Sequence, residues 1–125
     1  MIRILLAEDD EAMRGYLARA LTRNGYEVAT AETGRAALDL LESGTFDLLL
    51  TDIVMPEMDG IELAQKAQAL PQPPKVMFIT GFAAVALHAN EAMPEARLLS
   101  KPFHLRDLVA QVDSIFAGAG AQGSA

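Results

Sequence analysis

Three successive leucines, Leu48, Leu49 and Leu50, run without a polar face into Thr51 and Asp52. A strand carries apolar side chains on both faces when its sheet is covered on both sides, and such sheets are the parallel sheets of α/β folds. The run therefore predicts a central strand over Phe46–Thr51. Asp52 comes next, and a sheet interior cannot hold its charge. It is expected at the carboxyl end of the strand, where open α/β sheets bind ligands. Met55-Pro56 and Asp59-Gly60 then supply a rigid turn and a helix start.

The same alternation extends along the chain. Ile2–Ala7 reads as a first buried strand, stopped by Glu8, Asp9 and Asp10. Met13, Tyr16, Leu17, Ala20 and Leu21 share one helical face, and Asn24-Gly25 closes that helix. Glu27–Ala31 is a second strand, polar enough for a sheet edge. Thr33-Gly34 opens a second helix that Ser43-Gly44 closes. Asp59 caps a third, with Glu62 in capping-box position and Ile61, Ala64 and Ala67 facing inward. Pro71, Pro73 and Pro74 end it. Val76–Ile79 is a fourth strand, Phe82–Ala92 an alanine-rich helix of poor periodicity, and Arg97–Leu99 a fifth strand. Leu105, Leu108, Val109, Val112, Ile115 and Phe116 form the stripe of a last helix. Residues 118–125, GAGAQGSA, are expected to be a flexible tail beyond a domain spanning 1–117.

Five strands separated by helices predict an α/β fold: a doubly wound, five-stranded parallel sheet in the order 2-1-3-4-5 with five helices. Such a sheet brings the carboxyl ends of strands one, three, four and five to one edge. Glu8 and Asp9, Asp52, Thr80 and Lys101 meet there. Three carboxylates repel one another unless a cation sits among them. Carboxylates with a backbone carbonyl, here that of Val54, are ligands for a hard ion such as Mg2+. A hydroxyl and an ammonium beside that ion suit the oxygens of a phosphoryl group. An Asp can be the nucleophile that receives it. Lys101 would hold Asp52 ionised and aimed, and Lys101-Pro102 is a bond at which a cis peptide is accessible. Asp10 is assigned to capping the first helix, and His88 and His104 are assigned no role.

Composition narrows the function classes. Seventeen acidic against ten basic side chains give a net charge of −7, which disfavours nucleic acid as a partner. Hydrophobic residues make up 51%, enough for a core, but no run approaches the roughly 20 residues of a membrane span. The absence of cysteine excludes disulfides and fits a cytoplasmic location, as does a start without signal-peptide features.

The acidic pair Glu8-Asp9, the segment TDIVMPEMDG around Asp52, Thr80 after FIT, and Lys101-Pro102-Phe103 resemble the receiver domains of bacterial response regulators, which are CheY-like. The resemblance implies that Asp52 accepts a phosphoryl group from a phosphohistidine on a histidine kinase or a histidine phosphotransferase. It also implies a phosphoacceptor rather than an enzyme, catalysing at most its own phosphoryl transfer and dephosphorylation. LLAEDD, TDIVMPEMDGIEL, MFITGFAAVAL and LLSKPFHLRDLV are similar to the stand-alone CpdR-type receivers. That group implies an adaptor for proteolysis by ClpXP in the cell cycle, binding the ClpX unfoldase and switched off by phosphorylation. A relay intermediate or a motility-type receiver with another target is the alternative.

Two other classes use related parts. A haloacid-dehalogenase-type phosphatase places a second Asp two residues after its nucleophile, where this chain has Val54. A flavodoxin-type cofactor binder uses a hydroxyl- and glycine-rich loop after the first strand, where this chain has EDDE. With no output domain, the signal is expected to leave through Gly81, Phe82, Leu98 and Pro102. Leu98 departs from the receiver pattern, which has an aromatic ring at that position. Val54 and Phe82 flank the approach of hydrolytic water and cannot orient it, which predicts a long-lived phosphoryl group.

Overall fold

In the computed structural model, side chains are described for residues 1–117 and backbone for residues 1–124. The flexible tail expected over 118–125 lies outside the residues described in full. The elements are β1 (Arg3–Ala7), α1 (Glu11–Arg23), β2 (Glu27–Ala31), α2 (Gly34–Ser43), β3 (Leu48–Asp52), α3 (Gly60–Gln68), β4 (Lys75–Thr80), α4 (Ala83–Ala92), β5 (Arg97–Ser100) and α5 (Leu105–Ser124). The strands form one parallel sheet in the order β2-β1-β3-β4-β5. This is the expected doubly wound architecture.

β3 explains why the sheet needs cover on both faces. All five of its residues are buried, and the pleat sends alternate side chains to opposite cores. Leu49 joins Leu5, Phe78 and the apolar sides of α2 and α3. Leu48 and Leu50 join Ile4, Leu6, Met77 and Ile79 against α1 and α5. Each such side chain contributes about 1.5–3 kcal/mol on burial, so the two cores fix the register of the central strands.

Local signals set the helix ends. Asp10 caps α1 by accepting a hydrogen bond from Met13 N at 2.9 Å. Thr33 caps α2 through Ala36 N at 3.0 Å, and Asp59 caps α3 through Glu62 N at 2.8 Å. Gly25, with φ of 93°, takes the left-handed conformation that turns the chain from α1 into β2.

Several expectations shift. β3 starts at Leu48 rather than Phe46 and includes Asp52, which places the carboxylate on the last residue of the strand. β4 and β5 each gain the residue expected to follow them, Thr80 and Ser100. The carboxylate of Glu62 lies 3.9 Å from Lys66 Nζ, an i,i+4 pair. α4 begins at Ala83, with Phe82 at its cap position and no side-chain capping bond. Tyr16, expected on the inward face of α1, is half exposed. Its ring borders a groove of ≈ 450 Å³ between α1 and α5, where Arg19, Arg23 and Arg106 also lie.

Candidate phosphoacceptor site

The sheet order places the ends of β1, β3 and β5 within reach of one another. β1 is followed directly by Glu8, whose N–H donates to Ala31 O at 3.0 Å and whose carbonyl accepts from Arg14 Nη1 at 2.9 Å. These bonds hold the Glu8 backbone while its side chain turns into the interior. The Lys101 N–H donates to Thr80 O at 2.7 Å, which ties the end of β5 to the end of β4. The Lys101–Pro102 peptide is cis.

Lys101 Nζ lies 3.0 Å from Asp52 Oδ2 and 3.4 Å from Glu8 Oε1, bridging two strand ends. Carboxylate oxygens of Glu8, Asp9 and Asp52 all lie within 4.8 Å of one another. Among the described residues this is the one group of three acidic or histidine side chains so placed, and neither His88 nor His104 joins it. Glu8, Asp52 and Thr80 are buried, whereas Asp9 is exposed at the mouth. Thr80 Oγ1 accepts from Phe82 N at 3.2 Å, which connects the site to the start of α4. Gly81, Phe82 and Pro102 are exposed, and Leu98 is half-buried against the core beneath α4. Val54 is exposed beside the site.

The electrostatics follow from burial. Glu8 is pushed from an ordinary 4.5 up to about 8, first by desolvation and then by the hydrogen bond and charge of Asp52; Lys101 acts in the opposite direction. Burial alone depresses Lys101, but its hydrogen bonds and charge interactions with Asp52 and Glu8 outweigh that and leave it raised. One ammonium thus faces two carboxyl groups, Asp52 and Glu8, while Asp9 adds a third carboxylate to the cluster. Glu8 Oε2 is buried with no hydrogen-bond partner among the described residues. An orphaned buried oxygen, a carboxyl driven towards protonation and an all-oxygen donor set fit a hard divalent cation.

Two supporting residues escaped the reading of the chain alone. Arg14 is an ordinary helix residue by spacing, and its bond to the Glu8 carbonyl depends on how α1 leaves the sheet. Thr51 reads as a strand residue, yet its buried hydroxyl donates to the main-chain carbonyl of Asp52 at 2.7 Å. Its position next to Asp52 was the available signal.

Residues 4–113 match the response regulator receiver domain family. The chain is 54% identical over 120 residues to the response regulator receiver protein CpdR of Brucella abortus, covering 95% of this chain and 100% of that protein. It is 38% identical over 112 residues to the sensor kinase CckA of the same organism, covering 87% of this chain and 12% of that kinase. The structure of the response regulator TrrA of Thermotoga maritima in complex with Mg(2+)-BeF is similar, with a TM-score of 0.80 and 31% identity over 91% of this chain and 98% of that one. With acidic, hydroxyl and lysine groups gathered at the strand ends and a family match across nearly the whole domain, this chain belongs to the response regulator receiver domain family.

Proposed function

We propose that Asp52 is the phosphoacceptor of a cytoplasmic phosphorelay and that the chain signals through contacts with a protein partner. The observation that carries this reading is the Lys101 bridge from Asp52 Oδ2 to Glu8 Oε1 beside a buried, unpartnered carboxylate oxygen. An Asp52 oxygen forms the bond to phosphorus as the phosphorus–nitrogen bond to a donor histidine breaks, and the imidazole leaves as the neutral ring once it holds one proton. Glu8, Asp9, Asp52 and the Val54 carbonyl would hold Mg2+, which neutralises charge on the incoming group. Lys101 pairs with Asp52 and aims its carboxylate, and the Thr80 hydroxyl supplies a donor for a phosphoryl oxygen. The donor is a histidine phosphotransferase or a histidine kinase; likeness to the receiver portion of CckA supports a relay of that kind. The chain's chemistry is confined to gaining and losing this group.

The output reading rests on likeness to CpdR along the whole length of that protein. The unphosphorylated chain acts as an adaptor that binds the ClpX unfoldase of ClpXP, and the phosphoryl group on Asp52 turns that binding off. Gly81, Phe82, Leu98 and Pro102 form the responding surface, and the Thr80–Phe82 bond is its link to the site. A pull-down of ClpX with the wild type should succeed and should weaken when beryllofluoride and magnesium are added. Capture that does not respond to beryllofluoride would remove the switch from this account.

Val54 and Phe82 are apolar and exposed at the site, so neither orients an attacking water. The phosphoryl group should therefore outlast its counterpart in Val54→Asn or Phe82→Glu, by up to about 100-fold, the low end of what a positioned general base contributes. Decay of the phosphorylated protein, followed by release of inorganic phosphate, measures the half-lives. Equal half-lives would mean that these positions do not govern hydrolysis.

A further inference from the structure

The peptide between Asp52 and Ile53 is held at both ends by side chains of the same segment. On one side, Thr51 Oγ1 donates to the Asp52 carbonyl at 2.7 Å; a second neighbour of that hydroxyl, Met55 Sδ, lies at 3.9 Å and is a weak acceptor. On the other side, the Ile53 N–H donates to Asp52 Oδ1 at 2.7 Å. Thr51 is fully buried, so no water competes for its proton. The next peptide is fixed as well, because Gly60 N donates to Ile53 O at 2.7 Å.

A peptide group is planar, so the direction of its C=O sets the direction of its N–H. Fixing the Asp52 carbonyl therefore aims the Ile53 N–H at the Asp52 carboxylate. A donor on the carbonyl also polarises the amide and strengthens the N–H as a donor. The result is a short circuit of two hydrogen bonds from a buried hydroxyl through one peptide to the carboxylate. Oδ1 is held by the backbone, and Oδ2 faces Lys101. We infer that Thr51 is a positioning residue for the phosphoacceptor, acting through the Asp52–Ile53 peptide to fix the plane of the Asp52 carboxylate. This inference rests on Asp52 being the phosphoacceptor.

The test compares wild type, Thr51→Val and Thr51→Ser. Valine keeps the shape and removes the hydroxyl; serine keeps the hydroxyl. Initial rates of phosphoryl uptake from acetyl phosphate with magnesium should fall by about 10- to 100-fold in Thr51→Val, the range for losing a group that orients a metal-ligating side chain, and recover in Thr51→Ser. The amide proton of Ile53, observed by NMR without any phosphodonor, should lie downfield in wild type and Thr51→Ser and move upfield in Thr51→Val. Unchanged uptake in a folded Thr51→Val would overturn the inference. So would a wild-type Ile53 amide that exchanges with solvent as fast as an exposed one, which also covers the case of a valine variant that does not fold. A wild type that takes up no phosphoryl group while its Ile53 amide behaves as expected would instead count against the phosphoacceptor reading.

Discussion

Without divalent metal, the protein should lose on the order of 3 kcal/mol of stability between about pH 5 and pH 7.5, and magnesium should return most of it. The cause is Glu8, which titrates near 4.5 when free and near 8 in the fold, because it is buried first of all and then faces Asp52. Between those values the folded chain holds a proton that the unfolded chain has released. Stability therefore falls as pH rises through the window, by about 1.4 kcal/mol per pH unit while the difference lasts. A cation among Glu8, Asp9 and Asp52 replaces that proton, and at a hundredfold excess over its dissociation constant it contributes about 2.7 kcal/mol. Urea denaturation at both pH values, with chelator or with magnesium, measures the effect. Glu8→Gln should flatten the pH dependence and remove most of the magnesium response. A metal-free profile that rises with pH would mean that Glu8 is ionised in the fold.

The second large effect is expected at Gly60. A Cβ added there would lie 2.2 Å from the Asp52 carbonyl oxygen and 2.9 Å from Ile53 Cα, both backbone atoms that have no rotamer to retreat into. Gly60→Ala should cost about 3 kcal/mol through overpacking. The displaced atom belongs to the peptide that follows Asp52, the proposed phosphoacceptor, so phosphoryl uptake should fall together with stability. Gly15 is the control: its nearest neighbour is the flexible end of Arg19 at 3.5 Å. Gly15→Ala lies within α1 and should gain up to about 1 kcal/mol from helix propensity, with uptake unchanged. Equal melting temperatures for Gly60→Ala and wild type would show that the loop yields without strain.

The contrast between these two glycines shows what the chain reveals before it folds. Leu48–Leu50 has no polar face, and that property is enough to place β3 in the middle of a covered sheet. Once the strand order follows, Glu8, Asp9, Asp52 and Lys101 converge, because a parallel sheet delivers every strand's carboxyl end to one edge. Gly60 and Thr51 behave differently. Their roles depend on where one carbonyl oxygen points, and periodicity carries no information about that. Arg14 belongs with them, since its partner is a main-chain atom six residues away across a loop. Tyr16 has the spacing of an inward residue, yet the groove between α1 and α5 leaves its ring half exposed; apolar spacing marks a helix face without marking how far the next helix stands off. α4 lacks a clear periodicity because few of its residues are buried, and Ala89 alone is fully enclosed.

Intact mass after exposure to acetyl phosphate, with and without magnesium, tests the phosphoacceptor reading most directly when wild type is compared with Asp52→Ala. A single phosphoryl adduct on the wild type that requires magnesium and is absent from Asp52→Ala is the predicted result. An adduct that persists in Asp52→Ala, or a wild type that remains unmodified with magnesium present, would contradict the assignment of Asp52.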